Sequence, residues 1–209
     1  MLYLLSFDIG IKNMAYCFAS INDNDNNNDN NNDNNDNDNF MIKNIDNINL
    51  NCNKNIQNII NNTIDFLDDL MIKLKIDDTN DKLIILIECQ MTSIMRTIQT
   101  CINTYFKIIG KHLNLDIETI YVSPKHKLKI MDKFGDKVAS SKYKQNKIDS
   151  IYYANYLLTT VYKNDEILAI INSHKKKDDL CDALLMCVYY HIQFEMDRIN
   201  DVLTYKIHF

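Results

Sequence analysis

Four carboxylates are spaced along this chain so that a fold could gather them. Asp8 closes the apolar run Leu2-Tyr3-Leu4-Leu5-Ser6-Phe7, and Glu88 closes a second run, Leu83-Ile84-Ile85-Leu86-Ile87. Asp179 and Asp182 open a helical stretch that continues Ala183-Leu184-Leu185. A carboxylate at the tip of a buried strand is costly without a partner, and the usual partner for several is a divalent cation. Two on strand ends and two on a helix can hold a pair of Mg²⁺ ions about 4 Å apart, the arrangement that hydrolyses phosphodiester bonds. Each acid alone has a duller explanation. Asp8 could be a turn residue, Glu88 the end of an edge strand, and Asp178 and Asp179 helix N-terminal acids complementing the dipole. Their order as a group points to a metal site.

The elements that must position these acids are readable from periodicity. Strands are expected at 2–8, 14–21, 40–47, 82–88 and 117–122, with 14–21 antiparallel to the first. Asn55 to Leu74 repeats Ile56, Ile59, Ile60, Ile64, Leu67, Leu70, Met71 and Leu74 at helical spacing, so it should pack on the sheet. Thr92 to His112 makes a second helix, with Ile94, Ile98, Ile102, Tyr105, Phe106 and Ile109 on one side. Further helices are expected over 144–162 and 178–198, and Pro124 marks the start of a basic segment after the fifth strand. A three-stranded meander followed by helix, strand, helix, strand and terminal helices is an α/β order with one mixed sheet.

The length suits a single domain over 1–209, interrupted at 22–39 by a run composed only of Asn and Asp. Such a tract can bury nothing and is expected to be disordered, looped out between the second and third strands. It also distorts the charge. Six of its acids contribute to the formal −5, and without them the sum is +1. The positive charge is concentrated between Lys125 and Lys147, where eight lysines face only Asp132 and Asp136. Lys125, Lys127, Lys129, Lys142, Lys144 and Lys147 are therefore candidate contacts to a phosphate backbone, against the plainer reading of a solvated loop face.

Other chemistries are excluded. The six cysteines form no Cys-x-x-Cys pair and the five histidines do not cluster, which argues against zinc. Cys17 and Cys187 read as small core residues. With three glycines (Gly10, Gly110 and Gly135) the chain has neither a P-loop nor a dinucleotide fingerprint, so no nucleotide cofactor is expected. No signal peptide and no apolar stretch of membrane-spanning length is visible, and the expectation is a soluble protein of a reducing compartment.

Three segments carry a family resemblance. Ser6-Phe7-Asp8-Ile9-Gly10-Ile11-Lys12-Asn13-Met14-Ala15, Ile87-Glu88-Cys89-Gln90 and Lys176-Lys177-Asp178-Asp179-Leu180-Cys181-Asp182-Ala183 resemble the motifs of RuvC-type Holliday-junction resolvases. The closest match is the branch of poxviruses and giant DNA viruses. The motifs come in the family's order and span nearly the whole chain outside the insertion. The resemblance implies an RNase H-like fold, a mixed five-stranded sheet flanked by helices. It implies a crossover junction endodeoxyribonuclease: a homodimer that binds branched DNA and resolves four-way junctions by paired symmetric nicks in viral DNA recombination, repair and replication. The infected host's cytoplasm is then the expected location. Carried over by position, the metal-binding and catalytic acids fall on Asp8, Glu88, Asp179 and Asp182, with two Mg²⁺ per site and Mn²⁺ able to substitute. Asp178 is the alternative to Asp179, because spacings of three and four both share a helical face. The family's catalytic lysine falls in 142–147, with Lys147 favoured over Lys144. The helix at 92–112 is the implied dimer interface, and Arg96, Lys107 and Lys111 on it could meet DNA or solvent.

The mechanism implied has Asp8 bridging both ions, a metal-bound hydroxide attacking in line, and 5′-phosphate and 3′-hydroxyl ends as products. The chain departs from the family at Cys89, where a second Gln is common, and in its insertion. Rival readings are an RNase H-like nuclease for RNA–DNA hybrids, flaps or forks, and a non-catalytic DNA-binding relic.

Overall fold

The computed structural model describes residues 1–22, 40–51, 55–75, 81–126, 128 and 139–207, from 197 onward by backbone alone. Lys127, Lys129 and the Asn/Asp tract beyond Asn22 lie outside the described residues. The strands are β1 (Leu2–Asp8), β2 (Met14–Ile21), β3 (Phe40–Ile48), β4 (Lys82–Glu88) and β5 (Asp116–Val122). They form one mixed sheet in the order β3-β2-β1-β4-β5. β2 is antiparallel to both β1 and β3, whereas β1, β4 and β5 run parallel. Antiparallel neighbours need only the short link at 9–13, while each parallel step needs a crossover. The crossovers are α1 (Ile56–Leu74) and α2 (Ser93–Leu113), as the periodicity predicts.

Alternation along the central strands builds two cores. Leu5, Phe7, Tyr16, Phe18, Ile85 and Ile87 point to the face covered by α1 and α2. Leu4, Ala15, Cys17, Ala19, Ile84 and Leu86 point to the opposite face. There the chain supplies α3 (Lys142–Tyr156), a π-helical turn (Leu157–Val161), α4 (Asp165–Ser173) and α5 (Lys177–Ile207). Ser6, Ala15, Cys17 and Ala19 are small, so α5 settles into a shallow groove over β1 and β2. Consistent with that seat, Leu180, Cys181 and the whole run Ala183–Val188 are buried on every side. Two polar contacts pin it: the Ser6 hydroxyl donates to the Ala183 carbonyl at 2.7 Å, and the Cys187 thiol to the Cys17 carbonyl at 3.6 Å.

Some expectations are adjusted. Ile56 and Ile64 are 57% and 38% exposed, whereas Thr63 takes an inward position and bonds its hydroxyl to the Ile59 carbonyl at 2.6 Å. The helix expected over 144–162 changes to π-helical geometry at Leu157, and α4 was not anticipated. Its signal is short, with Ile167 and Ile171 buried and the Asn164 side chain capping the Ile167 amide at 3.0 Å. Among the described residues no helix is long and apolar enough to cross a membrane.

Candidate active site

Strand register brings the first two acids together. Phe7 pairs with Ile87 in the parallel β1–β4 ladder, and Asp8 and Glu88 each follow by one residue. Because successive side chains alternate and Phe7 and Ile87 face α1 and α2, both carboxylates emerge on the face of α3 and α5. Neighbouring strands lie about 4.8 Å apart, so this pairing alone makes them neighbours. The turn after Asp8 is tight: a Cβ on Gly10 would sit 2.5 Å from the Asn13 carbonyl oxygen. The loop is tied down by the Leu50 amide, which donates to the Ile11 carbonyl at 3.0 Å. On the other strand, Cys89 N–H bonds the Val122 carbonyl at 2.9 Å, and Gln90 Nε2 donates to Glu88 Oε2 at 3.1 Å. Gln90 is held in turn by Gln99 Oε1, which accepts from the Gln90 backbone N–H at 3.0 Å. Arg96 wraps this corner by donating to the Gln90 and Met91 carbonyls at 3.2 and 2.9 Å.

The first turns of α5 supply the other acids. Asp179 and Asp182 share a helical face and line a cleft of about 400 Å³ together with Asp8, Glu88, Lys12, Asn13, Asn146, Lys147 and Lys176. Asp178 does not line it. Its carboxylate instead takes the Lys147 ammonium from α3, and the buried Ser150 hydroxyl one turn further donates to Asp182 Oδ1. Burial disfavours the charge on Asp178, but the Lys147 ion pair outweighs it and holds the carboxyl below its ordinary range. Lys147 is pushed the other way: partial burial is outweighed by Asp178 and by Tyr143, so its ammonium stays protonated well above the usual range. Asp179 is raised to about 6, first by burial and then by the charges of Asp178 and Asp182.

A divalent cation would answer that crowding of negative charge. The donors facing the cleft are carboxylate oxygens, the set that Mg²⁺ and Mn²⁺ accept. Among the described residues no three His, Cys, Asp or Glu side chains converge into a ready cage. Glu88 and Asp182 also accept hydrogen bonds from Gln90 and Ser150. Mg²⁺ keeps several waters and needs only one or two direct carboxylates, so a lined cleft suffices. The residues fit a hydrated divalent ion by their chemistry.

Of the residues singled out from sequence, Asp8, Glu88, Asp179, Asp182 and Lys147 meet in this cleft. Lys144 lies nearly one turn before Lys147 on α3 and points to solvent, as do Lys142 and, after β5, Lys125. Cys89 is exposed at the strand end. Sequence reasoning missed Lys12 and Lys176 at the rim, Gln90 behind Glu88, and Ser150 behind Asp182. Lys12 and Lys176 lie inside the motifs that carry the resemblance, so proximity to the acids could have flagged them. Nothing local distinguishes Ser150, whose role depends on how α3 lies against α5.

An RNase H-like sheet with acids at the ends of two parallel strands and on a C-terminal helix is the class this architecture defines. The structure is similar to the fowlpox virus resolvase solved in complex with its substrate Holliday junction DNA. The TM-score is 0.53 and the identity 20%, covering 92% of this chain and 98% of that one. Thermus thermophilus RuvC in complex with a Holliday junction substrate aligns over 92% of this chain and 96% of its own, at 5% identity and a TM-score of 0.45. In sequence, the chain is 36% identical over 116 residues to the uncharacterized protein L451 of Acanthamoeba polyphaga mimivirus. That match covers 51% of this chain but spans only 27% of the mimivirus protein. No family model matches the chain.

Proposed function

We propose that this chain is a divalent-metal-dependent nuclease that resolves four-way DNA junctions. The observation that carries the reading is the single cleft in which Asp8, Glu88, Asp179 and Asp182 meet Lys147, although they come from three distant parts of the sequence. The fold shared with the fowlpox virus resolvase supports branched DNA as the substrate, and the mimivirus relative supports a place in the giant-virus branch. Asp8, Glu88, Asp179 and Asp182 would hold two Mg²⁺, for which Mn²⁺ could stand in. Bound there, such ions supply Lewis acidity and a water of lowered pKa. The protein's own cations do the rest. Lys147, Lys12 and Lys176 receive the charged phosphate at the cleft, and the exposed Lys125, Lys142 and Lys144 track the backbone beside it.

Two symmetric nicks require two sites related by a two-fold axis, so the active species is a homodimer. The outer face of α2 supports this. An apolar groove of about 400 Å³ runs there between Ile60, Ile64, Cys101, Tyr105, Ile108 and Ile109, and Ile108 is 59% exposed. Because it is exposed in the single chain, Ile108→Lys should leave the fold intact and shift sedimentation from dimer to monomer at micromolar concentration. A wild-type chain that sediments as a monomer would remove the dimer from the reading.

Cleavage of a labelled four-way junction in Mg²⁺ tests the function, beside linear duplex, flap and RNA–DNA hybrid, with Asp8→Asn as control. The expected result is paired, ligatable nicks on the junction alone, lost in the variant while junction binding persists. Cutting of hybrid or flap instead would keep the site and change the substrate class. Binding without cutting in both Mg²⁺ and Mn²⁺ would leave a DNA-binding relic.

A further inference from the structure

We infer that Asp178 is a positioning residue acting through Lys147, and that it is not a metal ligand. The inference rests on the nuclease reading only for what Lys147 does to substrate; the ion pair itself belongs to the fold. Successive residues on a helix leave it about 100° apart, so Asp178 and Asp179 cannot both face the cleft squarely. The structure divides them. Asp179 lines the cleft, and Asp178 turns to α3 and accepts from the Lys147 ammonium.

The pair is not an ordinary surface contact. Its side chains are 32% and 14% exposed, and the Lys147 ammonium also lies 5.1 Å from the centroid of the Tyr143 ring, one turn earlier on α3. A lysine on a free four-carbon stem samples many rotamers, and holding it in one place removes that entropy before substrate arrives. Asp178 and Tyr143 together fix the one lysine of α3 that lines the cleft. Ser150 repeats the grip on Asp182, so α3 holds α5 on both sides of Asp179. A carboxylate already committed to Lys147 serves the site by aiming a cation.

The test pairs Mn²⁺ binding, read by the free-ion paramagnetic resonance signal, with single-turnover junction cleavage. The variants are Asp178→Asn, Asp178→Glu, Asp179→Asn, Lys147→Met and the double Asp178→Asn/Lys147→Met. Asp178→Asn should lower the maximal rate on the order of tenfold with little change in KM, and the charge-preserving Asp178→Glu should recover most of it. Mn²⁺ affinity should fall no more than about threefold, the effect of losing one nearby charge in a solvated cleft. Asp179→Asn should weaken it far more. In the Lys147→Met background, Asp178→Asn should cost nothing further. Mn²⁺ binding as weak in Asp178→Asn as in Asp179→Asn would overturn the inference, as would a further loss of rate in the double variant. If the wild type cuts no DNA, the nuclease reading fails, while the Mn²⁺ comparison still decides whether Asp178 is a ligand.

Discussion

Replacing Ser150 with alanine isolates the contact by which α3 orients the acid-bearing helix. The side chain is 1% exposed and its hydroxyl donates to Asp182 Oδ1. A hydrogen bond to a charged group contributes about 1.5–3 kcal/mol, and truncation removes it without a large cavity. Asp182 is only half-buried, so water screens part of the loss, leaving about 1–2 kcal/mol. In a chain of this size each kcal/mol moves Tm by about 2–4 °C, so Ser150→Ala should melt roughly 2–8 °C lower. Thermal melts followed by far-UV circular dichroism in EDTA would measure this for Ser150→Ala, Asp182→Asn and the double variant. The pair should show a coupling of about 1 kcal/mol, with the double variant less destabilised than the sum of the singles. Mn²⁺ affinity should also drop by about 10–100-fold in Ser150→Ala, as when other partners of metal ligands are lost. Additive singles and unchanged Mn²⁺ binding would refute the claim that Ser150 orients Asp182.

Further outcomes follow from the same geometry. Asp179, raised to about 6 by burial and its acidic neighbours, must lose its proton before it can ligate. Mn²⁺ affinity measured by titration calorimetry should therefore be full above that value and about tenfold weaker one unit below it; a flat profile would exclude Asp179 as a ligand. The same raised carboxyl destabilises the metal-free fold at neutral pH, because the unfolded chain ionises it more easily. That penalty fades as pH falls through the folded value and vanishes below the unfolded one. Gly10→Ala places a Cβ against the Asn13 carbonyl, so the β1–β2 turn must open at a cost of about 1–3 kcal/mol. Melting temperature and junction cleavage should both fall, since Asp8 sits two residues before the clash; an unaltered variant would show that the turn yields freely.

The sheet was legible because its signals are local and strong. Continuous apolar runs in β1 and β4 ending in acids, and the 3.6-residue periods of α1 and α2, each specify an element without knowledge of its neighbours. Parallel register then made neighbours of Asp8 and Glu88, as their shared place at strand ends suggests. Less of the second layer could be read. α4 is nine residues long and fully buries just Ile167 and Ile171, too few for a period, and the change at Leu157 answers to packing that no local pattern encodes. The choice between Asp178 and Asp179 was open for a similar reason. Both spacings suit a helix face, and only the position of Lys147 on a separate helix divides them.

The direction of β1 also separates two parts of the molecule. Asp8 stands at its C-terminal end, while Leu2 at the other end pairs with Ile21, where β2 meets the Asn/Asp tract. Six residues of strand put roughly 20 Å between them. Ile21 and Phe40, which flank the tract, pair directly, so the β2–β3 ladder holds its two ends together. The acids therefore stand at the opposite end of β1 from the pair that closes the tract, and their register rests on the β1–β2 and β1–β4 ladders.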